Sequence, residues 1–168
     1  QKYLIDGHGL ERIKLILKPL NKFKISLRKT TFKDKGFLFF CVNQPDAISS
    51  RFNSKHINLS NHENWLKKIL KSKNIFFYVI TLNKIPVGFF RFDKVKNYYT
   101  IDIYIEKNFR KKGISSKALN LGMKKIYTNT KIGKFRAYIK KNNIESINFF
   151  KSLNFKKKEN YFLKIFNY

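Results

Sequence analysis

The amino-acid sequence predicts one mixed α/β domain. Three apolar-rich segments, over 76–82, 86–93 and 99–106, are separated by turn residues and read as consecutive hairpin strands. A loop with one glycine then leads into an amphipathic helix, and a strand–helix–strand–helix–strand passage fills the rest. With 168 residues, 43% of them apolar, the chain is long enough to bury one core and too apolar to stay unfolded.

Residues 10–17 read as a short helix with Leu10, Ile13, Ile16 and Leu17 on one face, after a turn at Ile5-Asp6-Gly7-His8-Gly9 and before a stop at Pro19. Residues 1–20 are expected to be a linker or the tail of a preceding domain, and 21–168 the folded domain. The sequence opens on Gln rather than Met, the pattern of a fragment or a trimmed chain. A strand follows at 25–28. A helix is predicted over 35–43, although its apolar run at 37–42 suits a strand equally well. Pro45 is placed to open a second short helix. Ser60 and Glu63 have the spacing of a capping box, and the helix they open carries Trp65, Leu66, Ile69 and Leu70 on one face.

Segment 76–82 is nearly all apolar, as a central strand should be, and Asn83-Lys84 and Lys96-Asn97 read as turns. In 99–106, Ile101, Ile103 and Ile105 alternate with Asp102, Tyr104 and Glu106, which predicts one dry face and one polar face. A helix over 115–128 has its apolar stripe at Leu119, Met123, Ile126 and Tyr127, and Gly122 permits a close neighbour. A strand is predicted at 135–139. Asn143 caps a helix that runs to about Ser152 with Ile144, Ile147 and Phe150 inward, and 161–166 is the last strand.

The formal net charge of +27 points toward anionic partners. However, 31 of the 37 basic residues are Lys and they are scattered, as a strongly AT-biased genome would also produce. One Cys excludes an internal disulfide, and three dispersed His give no metal-ligand spacing. No apolar run spans a bilayer and no signal-peptide pattern opens the sequence, so a cytoplasmic protein with neither membrane nor nucleic-acid partner is expected. A basic nucleic-acid-binding module is the non-enzymatic alternative, but the aromatics fall in core-strand patterns.

The segment Arg110-Lys111-Lys112-Gly113-Ile114-Ser115 lies between a strand and a helix. Gly113 has access to backbone angles closed to other residues. The amides that follow would then converge at the positive end of the helix dipole, a geometry that holds phosphate. An ordinary strand-to-helix turn carries the same residues. The dinucleotide fingerprint and the P-loop both need more glycines or a different spacing.

This segment resembles the acetyl-CoA motif of the GNAT acetyltransferases, Arg/Gln-x-x-Gly-x-Gly/Ala, with Ser115 at the last position. Asn143, Ser146, Phe150 and Asn154-Phe155 are similar to the family's second motif, with Asn154 where Gly is usual. The resemblance implies a mixed, mostly antiparallel sheet flanked by helices. It implies acetyl-CoA as cofactor, held by Ile103, Ile105, Arg110, Lys111, Lys112, Gly113, Ile114, Ser115, Asn143, Ser146 and Phe150. It also implies backbone amides near Ile103 and Ile105 that polarise the thioester. Many relatives carry Tyr where this chain has Phe150, so the acid for the leaving thiolate is Tyr104, Tyr138 or water. The base candidates are Glu106, Asp102 and His62.

The region 43–65 is similar to family members that acetylate nucleotide-linked amino sugars, including the pseudaminic acid pathway type. By that analogy Arg51, His62 and Trp65 contact the acceptor. Residues 5–13 resemble the end of a UDP-sugar hydrolase domain, which implies a fusion ahead of this domain. Acetylation of a protein N-terminus is the alternative activity.

Overall fold

The computed structural model describes residues 7–17 and 24–166. The expected turn at Ile5-Asp6 and the stop at Pro19 lie outside the described residues. Asn83 and Lys84 both take positive φ, 48° and 73°, which joins strands β2 (Ile75–Leu82) and β3 (Ile85–Val95) by the shortest hairpin. Lys96, at φ 52°, turns β3 into β4 (Tyr98–Ile105). Strand β1 (Ile25–Lys29) pairs with β2. Helices α2 (Lys35–Val42), α3 (Pro45–Ser50) and α4 (Leu59–Lys71) lie between β1 and β2 in sequence. After β4 come α5 (Ile114–Thr130), β5 (Lys134–Ala137), α6 (Ile144–Ser152), β6 (Lys156–Lys157) and β7 (Phe162–Ile165). The two-residue strand β6 was not anticipated.

The sheet order is β1-β2-β3-β4-β5-β7-β6. Every pairing is antiparallel except β4 with β5. Alternation along the strands builds two cores. One face carries Ile80, Phe90, Phe92, Tyr99 and Phe135 against Leu119, Met123 and Ile126 of α5. A Cβ at Gly122 would lie 2.5 Å from Phe90, so glycine is what lets α5 sit on this sheet. The other face carries Phe77, Val79 and Phe89 against Phe37, Leu38 and Cys41 of α2 and Leu66 of α4.

Several expectations are corrected. Helix α1 (Gly9–Ile16) is the helix expected over 10–17. Its buried residue is Leu15, while Leu10, Ile13 and Leu17 are exposed. Arg12 fixes this orientation by donating to the Pro86 carbonyl and pairing with Glu106. Helix α4 starts two residues earlier than the Ser60 box implied: Asn58 accepts from the Asn61 amide, and Glu63 pairs with Lys35 instead. Ile144 sits in the first turn of α6 and is exposed. Tyr104 does not belong to a polar face; it stacks on Phe89 at the rim of the second core. Asn154 takes φ 61°, the left-handed position that ends α6.

Candidate active site

The parallel pairing of β4 with β5 extends over two residue pairs only, Tyr99 with Phe135 and Thr100 with Arg136. Beyond it β4 continues to Ile105 while β5 ends at Ala137, so a wedge opens between them. Backbone groups alternate sides along an antiparallel strand. The Glu106 amide donates to Val87 of β3, so the groups of Ile103 and Ile105 face away from β3, into the wedge. Two features set this geometry. Val87 is the extra residue in a bulge opposite Ile80/Thr81. Gly88, opposite Ile105, permits a close approach, since a Cβ there would lie 2.4 Å from the Tyr104 carbonyl oxygen.

The wedge opens into a cavity of about 820 Å³. Its walls include Ile103, Tyr104 and Ile105 from β4, Arg110, Lys111 and Ser115 from the start of α5, and Asn143, Ser146 and Phe150 from α6. Gly113 caps α5 at φ 71° and Lys111 is also left-handed at φ 57°. The first helical bond is Lys117 amide to Gly113 carbonyl, so the preceding amides are directed outward at the positive end of a 17-residue helix. No atom lies within 4 Å of where a Gly113 Cβ would stand, which leaves the turn open to a phosphate. Asn143 caps α6 by accepting from the Ser146 amide.

The other predicted residues separate into groups. Ile114 is in the core and offers only its amide. Lys112 and Gly113 complete the turn without lining the wall. Arg110 is a tie rather than a free cation: it donates to the Ile105 carbonyl at 2.8 Å, bonds Asp46 of α3 and lies over the Tyr104 ring. Burial, reinforced by Cys41 and Asp46, pushes the Tyr104 phenol well above the ordinary range, so it keeps its proton near neutrality. Tyr138 is exposed and packs against Tyr161, away from this wall. Glu106 pairs with Arg12. Asp102 is beyond the second core with 55% of its side chain exposed, 3.8 Å from Arg91. Desolvation raises its carboxyl pKa and Arg91 opposes that, while its exposure lets solvent screen both effects.

His62, Trp65 and Arg51 are outside the cavity wall. His62 is 1% exposed, between the rings of Phe39 and Trp65, and burial lowers its pKa, so it is held neutral. Arg91 lies over Trp65. Sequence reasoning missed Asp46, Ser49, Asn142, Glu145 and Phe149 on the wall. Those on α6 follow from the helix that Asn143 opens. Asp46 had no local signal, because its partner is 64 residues away.

A splayed sheet, an open helix N-terminus at its mouth and outward amides on one strand form a cleft whose donors suit a phosphate-bearing acyl carrier. Residues 24–156 match the family described as Acetyltransferase (GNAT) domain. The chain belongs to this family, and it is an acetyl-CoA-dependent N-acetyltransferase. It is similar to the structure of a domain from Methanocaldococcus jannaschii at 25% identity and TM-score 0.74, covering 84% of this chain and 97% of that one. It is also similar to spermidine N-acetyltransferase from Vibrio cholerae in complex with CoA and spermine, at 13% identity and TM-score 0.77, covering 84% and 95%. A ribosomal-protein alpha-N-acetyltransferase in complex with CoA matches at 15% identity and TM-score 0.75, covering 88% and 96%. A search of curated protein sequences returns no match.

Proposed function

We propose that the chain transfers acetyl from acetyl-CoA to the amino group of a nucleotide-linked amino sugar, of the UDP-4-amino-4,6-dideoxy type, by direct attack in a ternary complex. The observation that carries the transfer step is the wedge, where outward amides of Ile103 and Ile105 share a cavity with the cradle around Gly113. Bound there, acetyl-CoA supplies an electrophilic thioester carbonyl. The residues present fit it: the open left-handed turn at Gly113 takes the pyrophosphate, and Asn143, Ser146 and Phe150 flank the arm. The Ile103 and Ile105 amides are fixed donors for the charge that develops on the carbonyl oxygen. Tyr104, protonated and on the wall, serves as acid for the thiolate, with water as the other source. Asp102, exposed on the acceptor side, receives the amine proton directly or through water.

The acceptor assignment is supported by charge. A net charge of +27 disfavours polycations and favours an acceptor that carries negative charge. Arg51 feels the charge of Asp102, and Trp65 lies under Arg91, which neighbours Asp102. The similarity of residues 5–13 to the end of a UDP-sugar hydrolase domain is consistent with a preceding domain of the same pathway. A second reading, acetylation of a protein N-terminus, is favoured by the likeness to a ribosomal-protein alpha-N-acetyltransferase. Thiol release from acetyl-CoA, assayed with a UDP-4-amino sugar, an N-terminal peptide and spermidine, separates them. The sugar nucleotide is expected to give the highest kcat/KM. A preference for spermidine would overturn the acceptor assignment.

A further inference from the structure

Two arginines near Asp102 carry buried nitrogens that have no hydrogen-bond partner among the described residues. Arg51, in the loop after α3, donates Nη2 to the Lys55 carbonyl at 2.9 Å. Its Nε and Nη1 are buried and have no partner among the described residues. The Nε of Arg136, on β5, is also buried without a partner among the described residues, while its guanidinium bonds the Tyr138 hydroxyl. The Arg136 guanidinium lies 3.8 Å from the Tyr98 ring centroid and 4.5 Å from that of Tyr161. Held between two rings, it is already oriented and loses little freedom on binding.

Both arginines flank one surface. Arg136 stands opposite Thr100 in the β4–β5 register, and Asp102 is two residues further along the same face of β4. Asp102 and Arg51 are close enough to act on each other's charge. Lys140, four residues after Arg136, bonds the Ser49 carbonyl and the Ser54 hydroxyl, on either side of Arg51 in sequence. Arg91 shares this face but is bonded to Asp93 at 2.8 Å, so its charge is already answered.

Residue choice points the same way. Lys supplies 31 of the 37 cations, and Arg51 and Arg136 are two of only six Arg. Lys gives a point charge, whereas Arg offers a rigid fork that matches phosphate and carboxylate oxygens. Buried donors without partners are rare in folded proteins, and a bound ion is one of the ways they are satisfied.

We propose that Arg51 and Arg136 form an anion-binding subsite on the open sheet face beside Asp102, which takes a phosphate or carboxylate of the acceptor while its amine reaches the wedge. The position of the amine rests on the transferase reading above; the subsite itself does not. The test is calorimetry on protein saturated with CoA, so that the Gly113 cradle is filled, with UDP and glutarate titrated separately. Wild type is expected to bind at least one of them, and Arg51→Gln and Arg136→Gln are each expected to weaken that binding at least tenfold. Binding of UDP identifies phosphate as the group recognised; binding of glutarate alone identifies carboxylate. Arg51→Lys and Arg136→Lys keep the charge without the fork, should recover only part of the loss, and stand in if a Gln variant fails to fold. CoA affinity and melting temperature of each variant report an intact fold. Neither anion binding, or equal binding in both Gln variants, would overturn the subsite. Amine acetylation that persists while no anion binds would remove the subsite and leave the transferase reading standing. Anion binding without acetylation of any amine would do the reverse.

Discussion

The cofactor side and the acceptor side of this molecule are built differently. Around the wedge the groups proposed to act are backbone amides and helix ends, aimed by Gly113 and by the Asn143 cap. On the proposed acceptor side they are side chains, Arg51, Trp65, Arg91, Asp102 and Arg136, contributed by two helical regions and three strands. A backbone site tolerates changes of side chain so long as the local conformation survives. A side-chain site depends on each residue and on distant packing that holds it.

The largest effect is expected where the two sides meet. Gly88→Ala places a Cβ 2.4 Å from the Tyr104 carbonyl and 3.1 Å from the Ile105 Cα. Backbone must shift, and overpacking of this kind costs on the order of 1–3 kcal/mol. Both acetyl-CoA affinity and turnover should fall, which melting curves and steady-state rates will show. Loss on one side only would mean that β4 does not couple them.

Next comes the acceptor-side scaffold. Asp34 is buried before α2 and takes a two-bond contact from Arg28, at 2.8 and 2.5 Å. Desolvation raises its pKa, but Arg28 and the Thr31 amide outweigh this and the net shift is downward. A depressed carboxylate stabilises the fold above its unfolded pKa, about 3.9, and that contribution is lost as pH falls through the lower folded value. Asp34→Asn should cost about 2 kcal/mol at neutral pH, less than a fully buried pair because Arg28 is 43% exposed. Denaturant melts across pH should show the gap from wild type constant above about pH 5 and closing below about pH 4. Acetyl-CoA affinity should not change.

Smaller changes are expected on the cofactor side. Phe150→Tyr places a phenol on the cavity wall, and turnover should change by less than roughly tenfold, because in the proposed mechanism Tyr104 or water serves the thiolate. A hundredfold rise in steady-state rate would show that a needed acid is missing. Ser115→Ala keeps the amide and removes a hydroxyl, so acetyl-CoA affinity should fall by less than about fivefold. A larger loss, by calorimetry, would move the binding from backbone to side chain.

The same contrast explains what was legible in the sequence. Gly113, Asn143 and Asn154 act on their own neighbours, so their roles follow from residue type and spacing. The hairpin turns at Asn83-Lys84 and Lys96 are equally local. The Ser60 box failed because Asn58, two residues earlier, is an equally good cap, and Lys35, 28 residues away, takes Glu63. Burial of His62 beneath Phe39 and the Arg110–Asp46 tie depend on how α2 and α3 fold back over the sheet. No local pattern encodes them.

The central claim is that the left-handed turn at Gly113 positions backbone amides to hold acetyl-CoA. Gly113→Val keeps every charge but puts a β-branched residue at φ 71°, at a cost of about 1–2 kcal/mol, and points its Cβ where the phosphate should lie. Calorimetric titration of acetyl-CoA into both proteins tests this most directly. Wild type should bind, and the variant should fold, melt cooperatively and bind on the order of a hundredfold more weakly, about 2.7 kcal/mol. No binding to wild type at millimolar acetyl-CoA, or equal binding to both proteins, would contradict the account.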